Sequence, residues 1–145
     1  MKERFETFTV LIAKISRNIK KLKNQEMSEY ELRSTHVSCL YYLYLSESLT
    51  ATELCERCEE DKATISRAVD YLETNGYVVC ESKSSKRYNS PIILTEKGRL
   101  IGKEICDKVN FILDEVGAGL SEEERIAFYR CLTIISDNLE RVTKS

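Results

Sequence analysis

The chain is poor in the residues and patterns from which catalytic sites are usually built. Its 145 residues include one histidine, five glycines and no tryptophan. It has no G-x-S-x-G nucleophile motif, no phosphate-binding P-loop and no dinucleotide-binding glycine pattern. A single histidine also rules out an H-x-x-x-H metal pair. The sequence therefore predicts a protein that is not an enzyme, and it calls for neither a cofactor nor a metal.

Long apolar runs and an export signal are missing as well. No apolar stretch approaches the roughly 18 residues that a membrane span needs. The N-terminal sequence MKERFETFTV lacks the apolar block of a signal peptide. We therefore expect a cytoplasmic protein with no membrane partner. In that reducing compartment the six cysteines are expected to remain thiols, mostly as small hydrophobic residues within apolar patterns.

Positive charge is not in excess. The 22 lysines and arginines are outnumbered by 24 aspartates and glutamates, which gives a net charge of −2 and a pI of about 5.6. No global basic field would attract nucleic acid, so any such function must rest on local charge. The apolar fraction of 42% is enough for a packed core. The length suits a single domain, residues 1–145.

Two helices are predicted in the first third of the chain. An apolar stripe runs along residues 3–24 with spacings of three and four, which places its members on one side of a helix. The stripe consists of Phe5, Phe8, Ile12, Ile15, Ile19 and Leu22. A second helix is predicted from Ser34 or Thr35 to about Leu45. Because it is apolar almost all round, we expect it to be central.

The next two helices are marked by their end signals. Thr50 with Glu53 fits a capping box and predicts a short helix to about Cys58. Asp61, or Glu60 before it, then places a carboxylate at the start of the helix in DKATISRAVDYLETNGY. Gly76 is the expected stop of that helix.

Short strands and two further helices complete the predicted order. YVVCES and IIL read as strands, Thr95 opens a long helix, and Ser121 with Glu124 caps the last one. Such an order predicts a mainly α fold with a small β-hairpin wing (α+β), the winged helix-turn-helix. We expect this lobe at about residues 34–95, with dimerisation helices at about residues 3–24 and 96–142.

The helix that begins after Asp61 has two different sides. Ile65, Ala68, Val69 and Leu72 cluster on one side, where they should pack against the two preceding helices. The opposite side of its N-terminal end is small, polar and cationic, and it carries Ala63, Thr64, Ser66 and Arg67. Small residues let a helix end enter a major groove, hydroxyls bond phosphates, and arginine reads guanine. On this helix alone, an ordinary solvated face remains an equal alternative.

The loop between the strands adds local positive charge. In SKSSKRYNSP, the residues Lys83, Lys86 and Arg87 place three cations within a short serine-rich segment. Such a loop can lie along a minor groove, although charged loops are also common as solubilising hairpin tips. The combination of a basic hairpin with a polar helix start favours DNA binding. The nearby carboxylates of Glu59 and Glu60 predict an affinity that falls steeply with salt.

These elements together resemble a known family. LTATELCERCEEDKATISRAVDYLETNGYVV, followed by the basic loop and PIILTEKG, resembles the MarR family of bacterial transcriptional regulators over about residues 34–100. One position departs from the pattern. Ser85 stands two residues before Arg87, where wings of the family usually have an aspartate that braces the arginine.

The resemblance implies a homodimer that binds double-stranded DNA at a pseudo-palindromic operator. It places Lys62, Thr64, Ser66 and Arg67 in the major groove and Arg87 in the minor groove. Most members of the family repress transcription. Many release DNA when a small aromatic or anionic effector binds between the dimerisation helices and the DNA-binding lobe.

The hydrophobic patterns also predict a homodimer without reference to the family. The stripes of the first and last helices are too long for one chain of this size to cover. In the last helix the stripe comprises Ile126, Tyr129, Leu132, Ile135 and Leu139. Burying one such side chain contributes roughly 1.5–3 kcal/mol, so separating the subunits would be unfavourable. A monomer folded back on itself is the alternative.

Aromatic residues and cysteines provide candidates for effector and redox sites. His36, Tyr41 and Tyr44 are candidates for a ligand pocket, although such residues more often pack in a core or an interface. Cys55 and Cys58 form a C-x-x-C inside a predicted helix, where structural burial is expected before metal or redox chemistry.

Two rival functions follow from these features. A regulator of the same fold could sense thiol oxidation or a metal through Cys55, Cys58 and Cys80. A protein–protein interaction module that does not bind DNA is the other alternative, and the acidic pI favours it.

Overall fold

The computed structural model describes residues 3–81 and 90–145. Its helices and strands are α1 (Ile12–Glu26), α2 (Ser34–Ser46), β1 (Ser48–Leu49), α3 (Ala51–Cys58), α4 (Lys62–Thr74), β2 (Val78–Cys80), β3 (Ile92–Leu94), α5 (Glu96–Val116) and α6 (Glu122–Lys144). This mainly helical order with a small antiparallel sheet confirms the predicted fold class. Within the described ranges, no helix has the length and apolar character that spanning a bilayer demands.

The predicted helix starts are confirmed by hydrogen bonds. At α3, the amide of Glu53 donates to Thr50 Oγ1 at 3.2 Å and the amide of Thr50 donates to Glu53 Oε1 at 3.0 Å. The same reciprocal pair forms at α6 between Ser121 and Glu124, at 2.9 and 3.1 Å. Each box satisfies two amides that the helix itself leaves without a partner.

The sheet contains a strand that the sequence patterns do not reveal. Among the described residues, the strand order is β1-β3-β2, and both pairings are antiparallel. In this register Leu49 lies opposite Ile92 on one side, and Cys80 lies opposite Ile92 on the other. The missed strand, β1, has only two residues, which is too short for an alternation of apolar and polar residues to be recognised.

The first helix differs from its prediction at its N-terminal end. Glu6–Leu11 forms π-helical turns that continue directly into α1. The hydroxyl of Thr9 donates to the carbonyl of Phe5 at 2.6 Å, and that of Thr7 donates to Glu3 at 3.4 Å. Side-chain bonds of this kind compete with regular backbone bonding and accompany local changes of helix geometry.

The chain divides into two compact units, Met1–Cys106 and Asp107–Ser145. The first unit holds the core, in which every helix from α2 to α5 takes part. Its fully buried large side chains are Met27, Leu32, Leu40, Leu43, Leu54, Ile65, Leu72, Val78, Ile92 and Ile105. In α4 the buried residues are Ile65, Ala68, Val69 and Leu72, as predicted. The second unit is described throughout, and none of its side chains is buried.

The start of α5 is joined to the turn that follows α4. The hydroxyl of Thr95 donates to the Gly76 carbonyl at 2.6 Å, and the Thr95 amide donates to the Tyr77 carbonyl at 3.0 Å. Lys97 donates to the Asn75 carbonyl at 2.8 Å, and its ammonium lies 4.3 Å from the centre of the Tyr77 ring. These bonds fix the C-terminal end of α4 against the rest of the first unit.

Candidate nucleic-acid interface

The N-terminal end of α4 is capped by a carboxylate. Asp61 Oδ1 accepts a hydrogen bond from the Thr64 amide at 2.7 Å. This bond lowers the pKa of the Asp61 carboxyl, with a smaller contribution from the Arg67 charge. The negative charge also lies at the positive end of the helix dipole, where it is favourable.

The predicted DNA-reading residues share one accessible side of this helix end. Lys62, Ala63 and Arg67 are exposed, while Thr64 and Ser66 are partly exposed. Arg67 Nη2 lies 3.4 Å from Thr64 Oγ1, which holds the guanidinium near the helix N-terminus. The guanidinium therefore points away from the core, in the direction that contact with a duplex requires.

The turn before α4 determines how far this end projects. Glu59 ends α3 in the left-handed backbone region, with φ of +54°. The Glu60 amide then donates to the Cys55 carbonyl at 3.2 Å and closes the turn. Both helices of this helix-turn-helix are anchored through buried residues, namely Leu54 in α3 and Ile65 in α4.

The charge of the described surface around α4 is mixed. Lys62 and Arg67 are exposed beside the exposed carboxylates of Glu59, Glu60 and Asp61. The two cations are offset by the three carboxylates, so this end of α4 carries no excess of positive charge. The predicted wing residues Lys83, Lys86 and Arg87 lie in residues 82–89, outside the described residues.

Comparison with known proteins shows which family the chain resembles. Residues 30–87 match the MarR family model. The Bacillus subtilis HTH-type transcriptional regulator YwoH is 27% identical over 113 residues, which cover 78% of this chain and 82% of the relative. A MarR family protein from Bacillus stearothermophilus is 27% identical, with a TM-score of 0.72 over 97% of this chain and 99% of that structure. The chain is similar to the MarR family of transcriptional regulators.

The fold is also that of a family member solved with nucleic acid. A MarR family transcriptional regulator from Listeria monocytogenes, in complex with a 26mer DNA, superposes with a TM-score of 0.82. The match covers 96% of this chain and 90% of that structure, at 22% identity. At this level of identity the likeness concerns the fold.

The three candidate ligand residues have three different neighbours. The His36 ring stacks on Tyr71, with centroids 4.3 Å apart and planes inclined by 16°. Tyr41 contacts the edge of Tyr42 at 5.5 Å. Tyr44 packs where Gly102 leaves space on α5. A pocket formed by His36, Tyr41 and Tyr44 therefore stays a prediction.

A shallow, open surface depression carries cationic side chains. It lies along the C-terminal part of α1 and the turn after it. Its lining residues are Arg17, Lys20, Lys21, Asn24, Gln25 and Ser28. From the sequence alone, these lysines could be placed only on the polar side of α1. The depression could not be predicted, because it also involves the turn that follows the helix.

The cysteines form no disulfide. All six are free thiols; Cys39 is buried, whereas Cys55, Cys58 and Cys80 are partly exposed. Burial, first of all, raises the pKa of Cys55. The described part of the chain has no cluster of three or more histidine, cysteine or acidic side chains suited to a metal ion.

His36 forms a structural contact that is sensitive to protonation. Its Nδ1 accepts the Arg33 amide at 3.0 Å, while its stacking partner Tyr71 donates its hydroxyl to the Glu31 carbonyl at 2.7 Å. Burial, and then the charge of Arg33, lower the pKa of His36. This arrangement links the start of α2 to α4 and requires the neutral imidazole.

Stability should consequently fall at mildly acidic pH. Because the pKa of His36 is lower in the folded than in the unfolded chain, its stabilising contribution is present above about pH 6.5. We expect this contribution to be lost as the pH falls from there through the lower folded pKa. Urea unfolding between pH 7.5 and pH 5.5 measures the loss. The His36→Gln variant keeps an acceptor but does not titrate, so an equal loss in this variant would contradict the assignment.

Proposed function

We propose that this chain is a sequence-specific DNA-binding regulator that acts in the cytoplasm as a homodimer on a pseudo-palindromic operator. The observation that carries the proposal is the exposed end of α4, where Lys62, Ala63 and Arg67 face outward while the other side of the helix is buried. Short side chains around one arginine suit insertion into a major groove. The similarity of residues 30–87 to the MarR family supports this proposal.

The homodimer is supported by apolar surface that one chain leaves uncovered. On the first helix, Phe5 is 68% exposed and Ile19 is 49% exposed, and the stripe residues between them are also exposed. In the second unit, Ile126 is 60% exposed, and no residue is buried. Soluble monomers rarely leave apolar stripes of this length in water. A second copy of the chain, with the same stripes, is the partner that best covers them.

A dimer gives the two recognition helices a fixed separation. Half-sites on one side of a duplex lie about 34–36 Å apart, which is one helical turn. Two α4 ends at this separation would read an inverted repeat, and a small change in dimer geometry would break the match. We propose that an effector uses this sensitivity to release a repressor. The exposed cations Arg17, Lys20 and Lys21 on α1 would attract the anionic kind of effector.

Selection from random duplex DNA tests the function directly. We expect enrichment of two inverted half-sites, and an affinity that falls steeply as salt is raised because phosphate contacts release counterions. Repeating the selection with phenolic and anionic compounds tests effector release. Failure to enrich any sequence, together with no measurable binding to random duplex at low salt, would favour the protein–protein interaction module instead.

Replacing Arg67 and replacing Arg87 should affect DNA binding in different ways. Arg67→Ala is expected to weaken operator binding by about 2 kcal/mol and to relax base preference at one position of each half-site, as loss of a bidentate base contact does. Arg87→Ala is expected to weaken binding evenly across sequences. Fluorescence anisotropy with the selected duplex and with single-base variants separates the two effects.

A matched control removes the same charge elsewhere. Arg141 is exposed near the end of α6, so Arg141→Ala should bind like the parent protein. If Arg67→Ala also keeps the parent affinity and base preference, α4 does not read the operator as proposed.

A further inference from the structure

The turn that joins α1 to α2, residues 27–33, is held in place at both of its ends and is called the elbow below. Its first residue, Met27, is 2% exposed, and Leu32 near its end is 1% exposed, so both side chains belong to the core. Asn24 Oδ1, near the end of α1, accepts a hydrogen bond from the Ser34 amide at the start of α2, at 2.6 Å. Burial and a hydrogen bond therefore fix the direction of α1 relative to α2.

Helix α4 reaches the elbow through a tyrosine. The hydroxyl of Tyr71 on α4 donates to the Glu31 carbonyl at 2.7 Å, and the Tyr71 ring stacks on His36 with centroids 4.3 Å apart. Glu31 has φ of +59°, a backbone conformation that residues with a side chain adopt rarely. Such a conformation persists only where the surrounding structure fixes it. The hydroxyl bond and the ring contact thus join α4 to the elbow at two points.

A second tyrosine joins the elbow to α5. The hydroxyl of Tyr30 lies 3.0 Å from Glu104 Oε2 and 3.2 Å from Glu104 Oε1, and it donates to this carboxylate. Hydrogen bonds to a charged group are stronger than those between neutral groups. Helices α2, α4 and α5 are therefore all bonded to the elbow or to the end of α1 beside it. The exposed apolar stripe of α1 is the surface proposed above for the dimer.

We propose that Tyr71 is a positioning residue, which sets the angle between α4 and α1 and thereby the spacing of half-sites that the dimer accepts. The proposal rests on the proposed function. Tyr71 acts through the Glu31 backbone, and the path from the α1 stripe to α4 lies within one compact unit, Met1–Cys106. One base pair inserted between half-sites moves the second by about 3.4 Å and rotates it by about 35°. A rigid elbow cannot follow this displacement, whereas an elbow that pivots can.

A series of duplexes with altered spacing tests the proposal. The selected duplex is compared with duplexes in which one base pair is inserted or removed between the half-sites. For these the parent should lose at least about tenfold in affinity, comparable to one mismatched base pair. Tyr71→Phe keeps the ring but removes the bond to Glu31, so it should weaken binding to the selected duplex by about threefold to tenfold. Because the elbow can then pivot, its loss on altered spacing should shrink to about threefold or less. Tyr30→Phe should change the spacing dependence in the same direction.

Two control variants separate position from contact and from stability. Tyr42 is a partly exposed tyrosine on α2 that contacts the edge of Tyr41, so Tyr42→Phe removes a hydroxyl away from the elbow and should match the parent. Arg67→Ala should weaken binding by the same factor at every spacing, because it removes a contact and leaves the elbow intact. A general loss of stability also acts equally at every spacing. If Tyr71→Phe weakens binding by one factor at all spacings, Tyr71 does not position α4 and the proposal fails.

Hydrogen exchange measures the hold of Tyr71 on the elbow without DNA. The amides of residues 30–32 donate to the Met27 and Ser28 carbonyls at 3.0–3.2 Å. Their exchange should be at least about threefold faster in Tyr71→Phe than in the parent, and unchanged in Tyr42→Phe. Equal exchange in Tyr71→Phe and the parent would overturn the proposal even if DNA binding is found. If the parent selects no duplex, the proposed function fails and the spacing claim fails with it, whereas the exchange rates still decide whether Tyr71 holds the elbow.

Discussion

Replacing Ile15 and Ile19 together by glutamate is expected to abolish the dimer and to weaken operator binding at least about a hundredfold. Both side chains are exposed on the stripe of the first helix. In a dimer each contributes roughly 1.5–3 kcal/mol by burial, and each glutamate adds the unfavourable transfer of a charge out of water. A single chain then contacts one half-site and loses the contribution of the second. Sedimentation analysis gives the mass, and anisotropy with the selected duplex gives the affinity.

The control adds the same charges to another side of the first helix. Val10 and Ala13 are exposed and lie opposite the predicted stripe, so Val10→Glu with Ala13→Glu should leave both mass and affinity near the parent values. If the protein with Ile15→Glu and Ile19→Glu still sediments as two chains, this stripe is not part of the dimer interface.

Gly98→Ala is expected to destabilise the chain by about 3 kcal/mol, through steric overlap in a packed site. A Cβ at Gly98 would overlap the carbonyl oxygen of Tyr77, which is backbone and cannot rotate away. That oxygen also accepts the Thr95 amide at 3.0 Å, so moving it disturbs the bond that joins α5 to the turn after α4. Urea unfolding at a fixed protein concentration measures the change, because the stability of a dimer depends on concentration.

Gly76→Ala distinguishes the cost of steric overlap from the cost of backbone strain. Gly76 has φ of +80°, but nothing lies within 4 Å of an added Cβ. We expect a loss of about 1 kcal/mol there, which is the usual magnitude for a side chain in the left-handed region. If the free energy of unfolding of Gly98→Ala lies within about 0.5 kcal/mol of the parent value, α5 does not pack against Tyr77 as described.

The helix starts could be predicted from the sequence because their chemistry is local. Thr50 with Glu53 forms its reciprocal hydrogen bonds within one turn, so spacing alone reveals it. The buried side of α4 could be predicted for a related reason, since the core lies on one side of the helix and periodicity reports it. The order of these local signals was sufficient to predict the winged helix-turn-helix.

Contacts between distant elements could not be predicted in this way. His36 stacks on Tyr71 because the crossing of α2 and α4 decides which side chains meet. β1 exists only because the chain passes the free edge of β3.

The central claim is that two chains present their α4 helices to adjacent turns of one duplex. Sedimentation equilibrium of the reduced protein with its selected duplex tests it most directly. We predict a complex that contains one duplex and twice the 16.8 kDa mass of the chain, formed without an intermediate that holds a single chain. A saturated complex with one chain on each duplex would contradict the account.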